Sequence, residues 1–184
     1  GYSKVVLKDH RDIISEEARG YLTTVVQSSA RMKNLIEDLL TLSRIGRVSE
    51  AQETVSVGQV VMDVIHDFEF TLRERNATVN VSEDLPEVQY SRTQLSMVFR
   101  NLISNAIKFN VQAAPRVDIG VQEGDQEYTF SVEDNGIGIE PRHHEKIFVI
   151  FQRLHRSEDY QGTGAGLTIV KKIVENHHGR IWVD

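Results

Sequence analysis

The chain has 184 residues, 40% hydrophobic and 26% charged, which are ordinary globular proportions. It contains no cysteine, so disulfides and thiolate metal sites are excluded. Its net charge of −6 argues against a binder of nucleic acid or anionic membrane, which would show a basic face, but leaves phosphate ligands open, since those need only a local cluster of donors.

No window approaches the roughly 18 apolar residues of a membrane span, and the N-terminus lacks a signal-peptide pattern. The first residue is Gly1 rather than Met, and a fragment of a longer protein is expected. Residues 16–45 read as one helix: Leu22, Val25, Val26, Ser29, Met32, Leu35, Ile36, Leu39 and Leu42 recur at three- and four-residue spacing. Ser15 is placed to cap it, Glu16 and Glu17 suit its dipole, and Gly46 ends it. At about 45 Å this helix is longer than a compact core needs, and its wide apolar stripe must bury against other helices. The polar segment Arg47–Thr54 reads as a linker.

A mixed α and β pattern follows. Thr54–Val57 reads as a short strand, 59–75 as an amphipathic helix, and Thr78–Val81 as a strand, and the chain turns at Leu85-Pro86-Glu87. Thr93–Phe109 is helical, with Ser91 as its cap. Arg116–Gln122 and Glu127–Glu133 form paired strands around Glu123-Gly124-Asp125. Residues 141–162 are polar and irregular, Thr163–Asn176 is helical, and Arg180–Val183 reads as a strand. The result is an α+β sandwich with helices layered on one face of a sheet.

Four motifs carry the chemistry. Asn101, Asn105 and Lys108, spaced by four and three residues, share one face of a predicted helix. Their amide oxygens suit Mg²⁺ and the lysine suits phosphate, although a solvated polar face is the simpler reading of the asparagines alone. Asp134-Asn135-Gly136-Ile137-Gly138 follows a strand. Its glycines allow a close backbone approach, and the Asp134 carboxylate is placed to accept from an exocyclic amine; a plain turn is the alternative. Ile147-Phe148-Val149-Ile150-Phe151 is apolar amid polar sequence and suits a loop anchor. Gly162-Thr163-Gly164-Ala165-Gly166-Leu167 opens a helix, so it offers amide donors and a favourable dipole to phosphate; a flexible hinge is the alternative. It is neither a P-loop nor a Rossmann turn.

In this order and spacing, residues 54–184 resemble the catalytic and ATP-binding domain of sensor histidine kinases. Asn101–Phe109 looks like the N box, Asp134–Ile139 the G1 box, Phe148–Phe151 the F box and Gly162–Leu167 the G2 box. Arg31–Leu40 with Ser43-Arg44 resembles the second helix of the dimerisation and histidine-phosphotransfer hairpin. Together with Phe151-Gln152-Arg153-Leu154-His155 it is similar to kinases linked to phytochrome or PAS sensors. The resemblance implies a two-layer α/β sandwich of the GHKL or Bergerat type, with a mixed sheet and three helices, preceded by a long dimerisation helix. It divides the chain into 1–48, from the hairpin, and 49–184, the catalytic domain. Asn105 with Asn101 would hold Mg²⁺, Lys108 would sit near phosphate, and Asp134 would bind the adenine amine beside Gly136 and Gly138. Phe109, Ile137, Leu154, Thr163 and Leu167 would complete the ATP contacts. Residues 140–162 would be a lid, and Gly162, Gly164 and Gly166 would let it close. The implied partners are a response-regulator receiver domain, a second copy through the hairpin and an upstream sensor domain, in the cytoplasm.

Two features depart from the family. His178-Gly179 stands where Gly-Gly is common. The acceptor signature, a His followed by an acidic residue with Pro five positions after the His, is missing: Ser15 follows His10 at that distance and Thr71 follows His66. The acceptor is therefore expected outside this chain. The competing expectations are another ATPase of the same fold, such as the chaperone, gyrase, mismatch-repair or anti-sigma-factor relatives, and a degenerate module used only for docking.

Overall fold

The computed structural model describes residues 1–10, 12–46, 52–154 and 162–184. Most of the expected linker Arg47–Thr54, the expected boundary at 48/49 and the middle of the expected lid, His155 included, lie outside the described residues.

Two helices lead the chain. α1 (Tyr2–Asp9) was not legible in the sequence; α2 (Glu16–Arg44) was. The Ser15 hydroxyl caps α2 by accepting from the Ala18 N–H at 3.2 Å, and Gly46 follows its last turn at φ 87°. None of its residues is buried. Met32 and Ile36 remain 60% and 53% exposed, so the apolar stripe is unmatched along most of its length.

β1 (Glu53–Ser56) pairs antiparallel with β3 (Glu87–Tyr90). The segment after Pro86 is thus a strand as well as a turn exit. The helix expected over 59–75 is two helices, α3 (Val57–Asp67) and α4 (Glu69–Arg75). The break falls at Phe68 (φ −96°, ψ 2°), and it lets Ile65, Phe68 and Leu72 all pack against the core. α5 (Arg92–Lys108) is capped by Ser91, whose hydroxyl accepts from the Gln94 N–H at 3.2 Å.

β2 (Thr78–Val81) runs parallel to β4 (Arg116–Glu123), which pairs antiparallel with β5 (Tyr128–Asp134) in a mixed sheet of order β2-β4-β5. α6 (Gly166–Asn176) starts three residues later than expected, and 180–183 is not a strand. Its alternation is real, with Ile181 half-buried and Trp182 exposed, but Ile181 packs into a core cluster and the segment pairs with no described strand. The turn before it places His178 in the left-handed region at φ 60°, which suits glycine better. The chain thus makes that turn with a histidine at some strain.

Two clusters hold the fold. In the first, Val60, Val61 and Val64 of α3, Phe99, Ile103 and Ile107 of α5, and Val117 and Ile119 of β4 come together. In the second, Val98 of α5 meets Ile169, Val170 and Ile173 of α6, with Ile45 from the end of α2. The end of α6 is fixed further by His177, whose ring stacks on Tyr90 at 3.7 Å and whose Nε2 meets Gln94 Oε1 at 2.8 Å. No helix of the described residues is long and apolar enough to cross a membrane.

Ile103 is fully buried while Phe70 is 73% exposed. Ile103→Ala is expected to lower stability by about 2–5 kcal/mol and Phe70→Ala by less than about 0.5 kcal/mol, as measured by urea denaturation.

Candidate nucleotide site

The site is built around the C-terminal half of α5. Its apolar residues are divided between the two clusters, so Asn101, Asn105 and Lys108 share the half-buried strip that remains. Asn101 Nδ2 donates to the Met97 carbonyl at 2.8 Å. This fixes the amide and leaves its oxygen against the start of α6, where a Cβ on Gly166 would lie 2.5 Å from Asn101 Oδ1. Only glycine lets the helix begin so near the amide.

One turn further on, Lys108 Nζ donates to Asn105 Oδ1 at 3.2 Å and lies 4.2 Å from the centre of the Phe109 ring. The amine also sits beside Gly162, 3.2 Å from where a Cβ would be. Burial of the ammonium, followed by repulsion from the Arg153 guanidinium, lowers the Lys108 pKa below its ordinary 10.5. Asn105 Oδ1 thus already receives a positive charge. As a hard amide oxygen facing a cation, it fits a Mg²⁺ ligand.

The Asp134 turn is attached to the same helix end. Ile137 N–H donates to the Phe109 carbonyl at 3.1 Å, and Gly136 N–H donates to Asp134 Oδ1 at 2.8 Å. A Cβ on Gly136 would stand 2.7 Å from the Phe109 oxygen and 2.6 Å from Asp134 Oδ1, so the turn and the helix end are in direct backbone contact. Asp134 itself is exposed at the end of β5, as are Ile137 and Gly138. Gly138 is left-handed at φ 67°.

The glycine loop closes the other side. Phe151 N–H donates to the Gly164 carbonyl at 3.1 Å, Arg153 Nη1 to the Gly162 carbonyl at 3.0 Å, and Ala165 N–H to Thr163 Oγ1 at 3.3 Å. The Thr168 hydroxyl donates to the Phe148 carbonyl at 3.0 Å, tying the apolar anchor to α6. α2, α3 and α5 are each capped by a serine hydroxyl, from Ser15, Ser56 and Ser91, whereas α6 has no side-chain cap. Its first-turn N–H groups point out of a helix end lined by Asn101, as an anion site requires.

α5 therefore brings Asn101, Asn105, Lys108 and Phe109 together with Asp134, Gly136 and Ile137 on one side and with Gly162 and Gly166 on the other. Thr163 and Leu167 follow within the glycine loop and α6, and are half-buried. Leu154 is exposed, and none of the contacts described above involves it. An open cleft of about 550 Å³ lies nearby, between Arg31, Leu35 and Leu39 of α2 and Phe151, Arg153, Gly162 and Thr163. It flanks the glycine loop from the α2 side, and neither Asn105 nor Asp134 lines it. Sequence reasoning missed Arg153, which pins Gly162, and the pair Asn110 and Asn135. Asn135 stands inside the Asp134 motif, but its link to Asn110 has no local sequence signal.

A family model described as "Histidine kinase-, DNA gyrase B-, and HSP90-like ATPase" matches residues 90–184, and the chain belongs to that family. Within it, the chain is of the sensor histidine kinase catalytic type. It is 40% identical to Cyanobacterial phytochrome A of Nostoc sp. (strain PCC 7120 / SAG 25.82 / UTEX 2576) over 184 residues, covering 100% of this chain and 24% of that protein. The chain thus spans about a quarter of the length of the curated relatives it matches. The solved structure of the mycobacterial sensor histidine kinase MprB is 27% identical and superposes with a TM-score of 0.62 over 72% of this chain and 85% of that chain. Histidine kinase ThkA, solved in complex with response regulator protein TrrA, gives a TM-score of 0.69 at 23% identity, over 98% of this chain and 52% of that chain, a likeness of fold. The α+β arrangement is the ATP-binding fold of this family.

Two outcomes test the geometry. Gly136→Ala, which drives a methyl into the Phe109 carbonyl, is expected to cost about 1–3 kcal/mol in chemical denaturation. The depressed pKa of Lys108 means that the unfolded chain binds this proton more tightly than the folded one. Its contribution therefore penalises folding at neutral pH and fades as pH rises toward 10.5. The stability of the wild type relative to Lys108→Met is expected to rise over that alkaline window.

Proposed function

We propose that residues 49–184 bind ATP with Mg²⁺ and transfer its γ-phosphoryl group to a histidine carried on a hairpin helix outside this chain. In this reading residues 1–48 belong to the hairpin. The observation that carries it is the meeting of three chemically distinct groups on the end of α5. These are amide oxygens and an amine at Asn101, Asn105 and Lys108, a carboxylate at Asp134, and the uncapped start of α6 at Gly166.

Each group has a task in phosphoryl transfer, where positioning and charge neutralisation do most of the catalysis. Asp134 accepts a hydrogen bond from the adenine amine, with Gly136, Ile137 and Gly138 shaping that wall and Phe109 beside it. The N–H groups at Gly166 and Leu167 and the Lys108 ammonium bind phosphate oxygens. Asn105, with Asn101, would hold Mg²⁺, which would supply positive charge to offset that of the phosphates. Thr163 and Gly164 shape the loop over them, and Leu154 closes its far edge. The imidazole nitrogen of the acceptor attacks the γ-phosphorus, the bond to the bridging oxygen breaks, and ADP leaves. The phosphohistidine then passes its phosphoryl group to an aspartate of a receiver domain; that ThkA, of like fold, is solved in complex with response regulator protein TrrA supports such a partner. The phytochrome relative supports a sensor domain upstream, and the unmatched stripe of α2 supports pairing with a second copy. We place these steps in the cytoplasm, where ATP and receiver domains occur together.

Neither His10 nor His66 has the sequence context of an acceptor. His66 is 82% exposed on α3, 3.8 Å from Glu69. Incubated with γ-labelled ATP and Mg²⁺, the chain is expected to take up no acid-labile label. It is expected to label an added polypeptide carrying a His-[Asp/Glu]-x-x-x-Pro helix. Label on His10 or His66 would make one of them the acceptor, and no label in either arm would leave only a docking module.

A further inference from the structure

Asn110 and Asn135 lie outside every role assigned above, yet together they form a side-chain bridge between the segment after α5 and the end of β5. Asn110 directly follows Phe109 and is 2% exposed, and Asn135 directly follows Asp134. Asn135 Oδ1 accepts from Asn110 Nδ2 and from the Arg116 N–H, both at 2.7 Å, and Asn135 Nδ2 donates to the Ala114 carbonyl at 3.3 Å. Asn110 Oδ1 accepts from the Gln112 N–H at 3.0 Å. The backbone partners fix both amides: an N–H must meet an oxygen and a carbonyl must meet an NH₂. Neither side chain can turn over without losing a bond, and Asn110 is buried away from bulk solvent.

We infer that Asn110 and Asn135 are positioning residues that set base specificity. Their bond, together with the backbone bond from Ile137 to Phe109, sets where the carboxylate of Asp134 stands relative to the helix end that carries Lys108. This rests on the reading of Asp134 as acceptor for the adenine amine. That carboxylate favours ATP over GTP, because guanine presents a carbonyl oxygen where adenine presents the amine. The discrimination depends on where the carboxylate stands relative to phosphates held on α5. One backbone bond, from Ile137 to Phe109, ties the turn to the helix end, and another, from Asn135 to Arg116, ties it to β4. The Asn110–Asn135 bond is a second, side-chain tie between the turn and the segment after α5, so breaking it lets the turn and its carboxylate shift while the phosphate-binding groups on α5 stay in place.

The test is calorimetric titration of the whole chain with Mg·ATP and Mg·GTP. Asn135→Ala and Asn110→Ser are compared with wild type, Asp134→Asn and the stability control Val88→Ala, which lies on β3 in the other sheet. Both bridge variants are expected to lower the ATP-to-GTP affinity ratio by about tenfold, the scale of a misplaced charge-assisted hydrogen bond, with GTP affinity nearly unchanged. Val88→Ala is expected to leave the ratio intact. Because Asn135 is exposed, its alanine variant keeps the test available if Asn110→Ser fails to fold. Equal losses of ATP and GTP affinity in the bridge variants, or an unchanged ratio while Asp134→Asn lowers it, would overturn the inference. An unchanged ratio in Asp134→Asn would instead remove the reading of Asp134 on which it rests.

Discussion

The constraint on which the structure depends is the double burial of α5. Phe99, Ile103 and Ile107 are committed to the cluster shared with α3 and the sheet, and Val98 to the cluster shared with α6 and the end of α2. Between its two packed faces α5 keeps a narrow half-buried strip, and that strip carries Asn101, Asn105 and Lys108. Both loops that complete the site must come to it. The Asp134 turn arrives by backbone bonds to Phe109, and the glycine loop by the approach of Gly162 to Lys108 and of Gly166 to Asn101. The site is therefore as rigid on the α5 side as the core itself. The exposed ion pairs that link α5 to α3, Arg92–Asp63 and Arg100–Asp67, add little beside this packing.

Much of this was legible because it is periodic or local. The spacing of Asn101, Asn105 and Lys108 against Leu102, Ile103, Ala106 and Ile107 gives both the helix and its polar strip. Ser15 and Ser91 cap where a serine before a helix should. The errors fall where tertiary packing overrides local pattern. Val60 to Leu72 is periodic throughout, but periodicity does not show that Phe68 breaks the helix to reach the core. Ile181 and Val183 alternate like a strand, but alternation does not supply a partner. The four residues of β3 lacked length, and proline beside them read as a turn. Asn110 and Asn135 were out of reach for a different reason: 25 residues apart, they are joined only by a hydrogen bond, and no spacing rule connects them.

The second cluster gives α2 a fixed relation to the site at one end only. Ile45 is buried against α6, and Gly46 lies so near Asn176 that a Cβ there would stand 2.7 Å from its amide nitrogen. Toward its N-terminus α2 leaves Tyr21 and Val25 exposed. The helix is anchored at its C-terminal end, and the remainder of its stripe is left for burial by another surface.

Asn135 also precedes Gly136, and this sequence bears on how the protein ages. In a flexible chain, an asparagine followed by glycine loses ammonia readily, because the unhindered glycine nitrogen can attack the side-chain carbonyl carbon and close a succinimide ring. Here both reacting ends are engaged: the Gly136 N–H is held by Asp134 Oδ1, and the Asn135 amide by Asn110, Arg116 and Ala114. The hydrogen bonds that shape the turn also protect its covalent structure, so deamidation at this position records the time the turn has spent open.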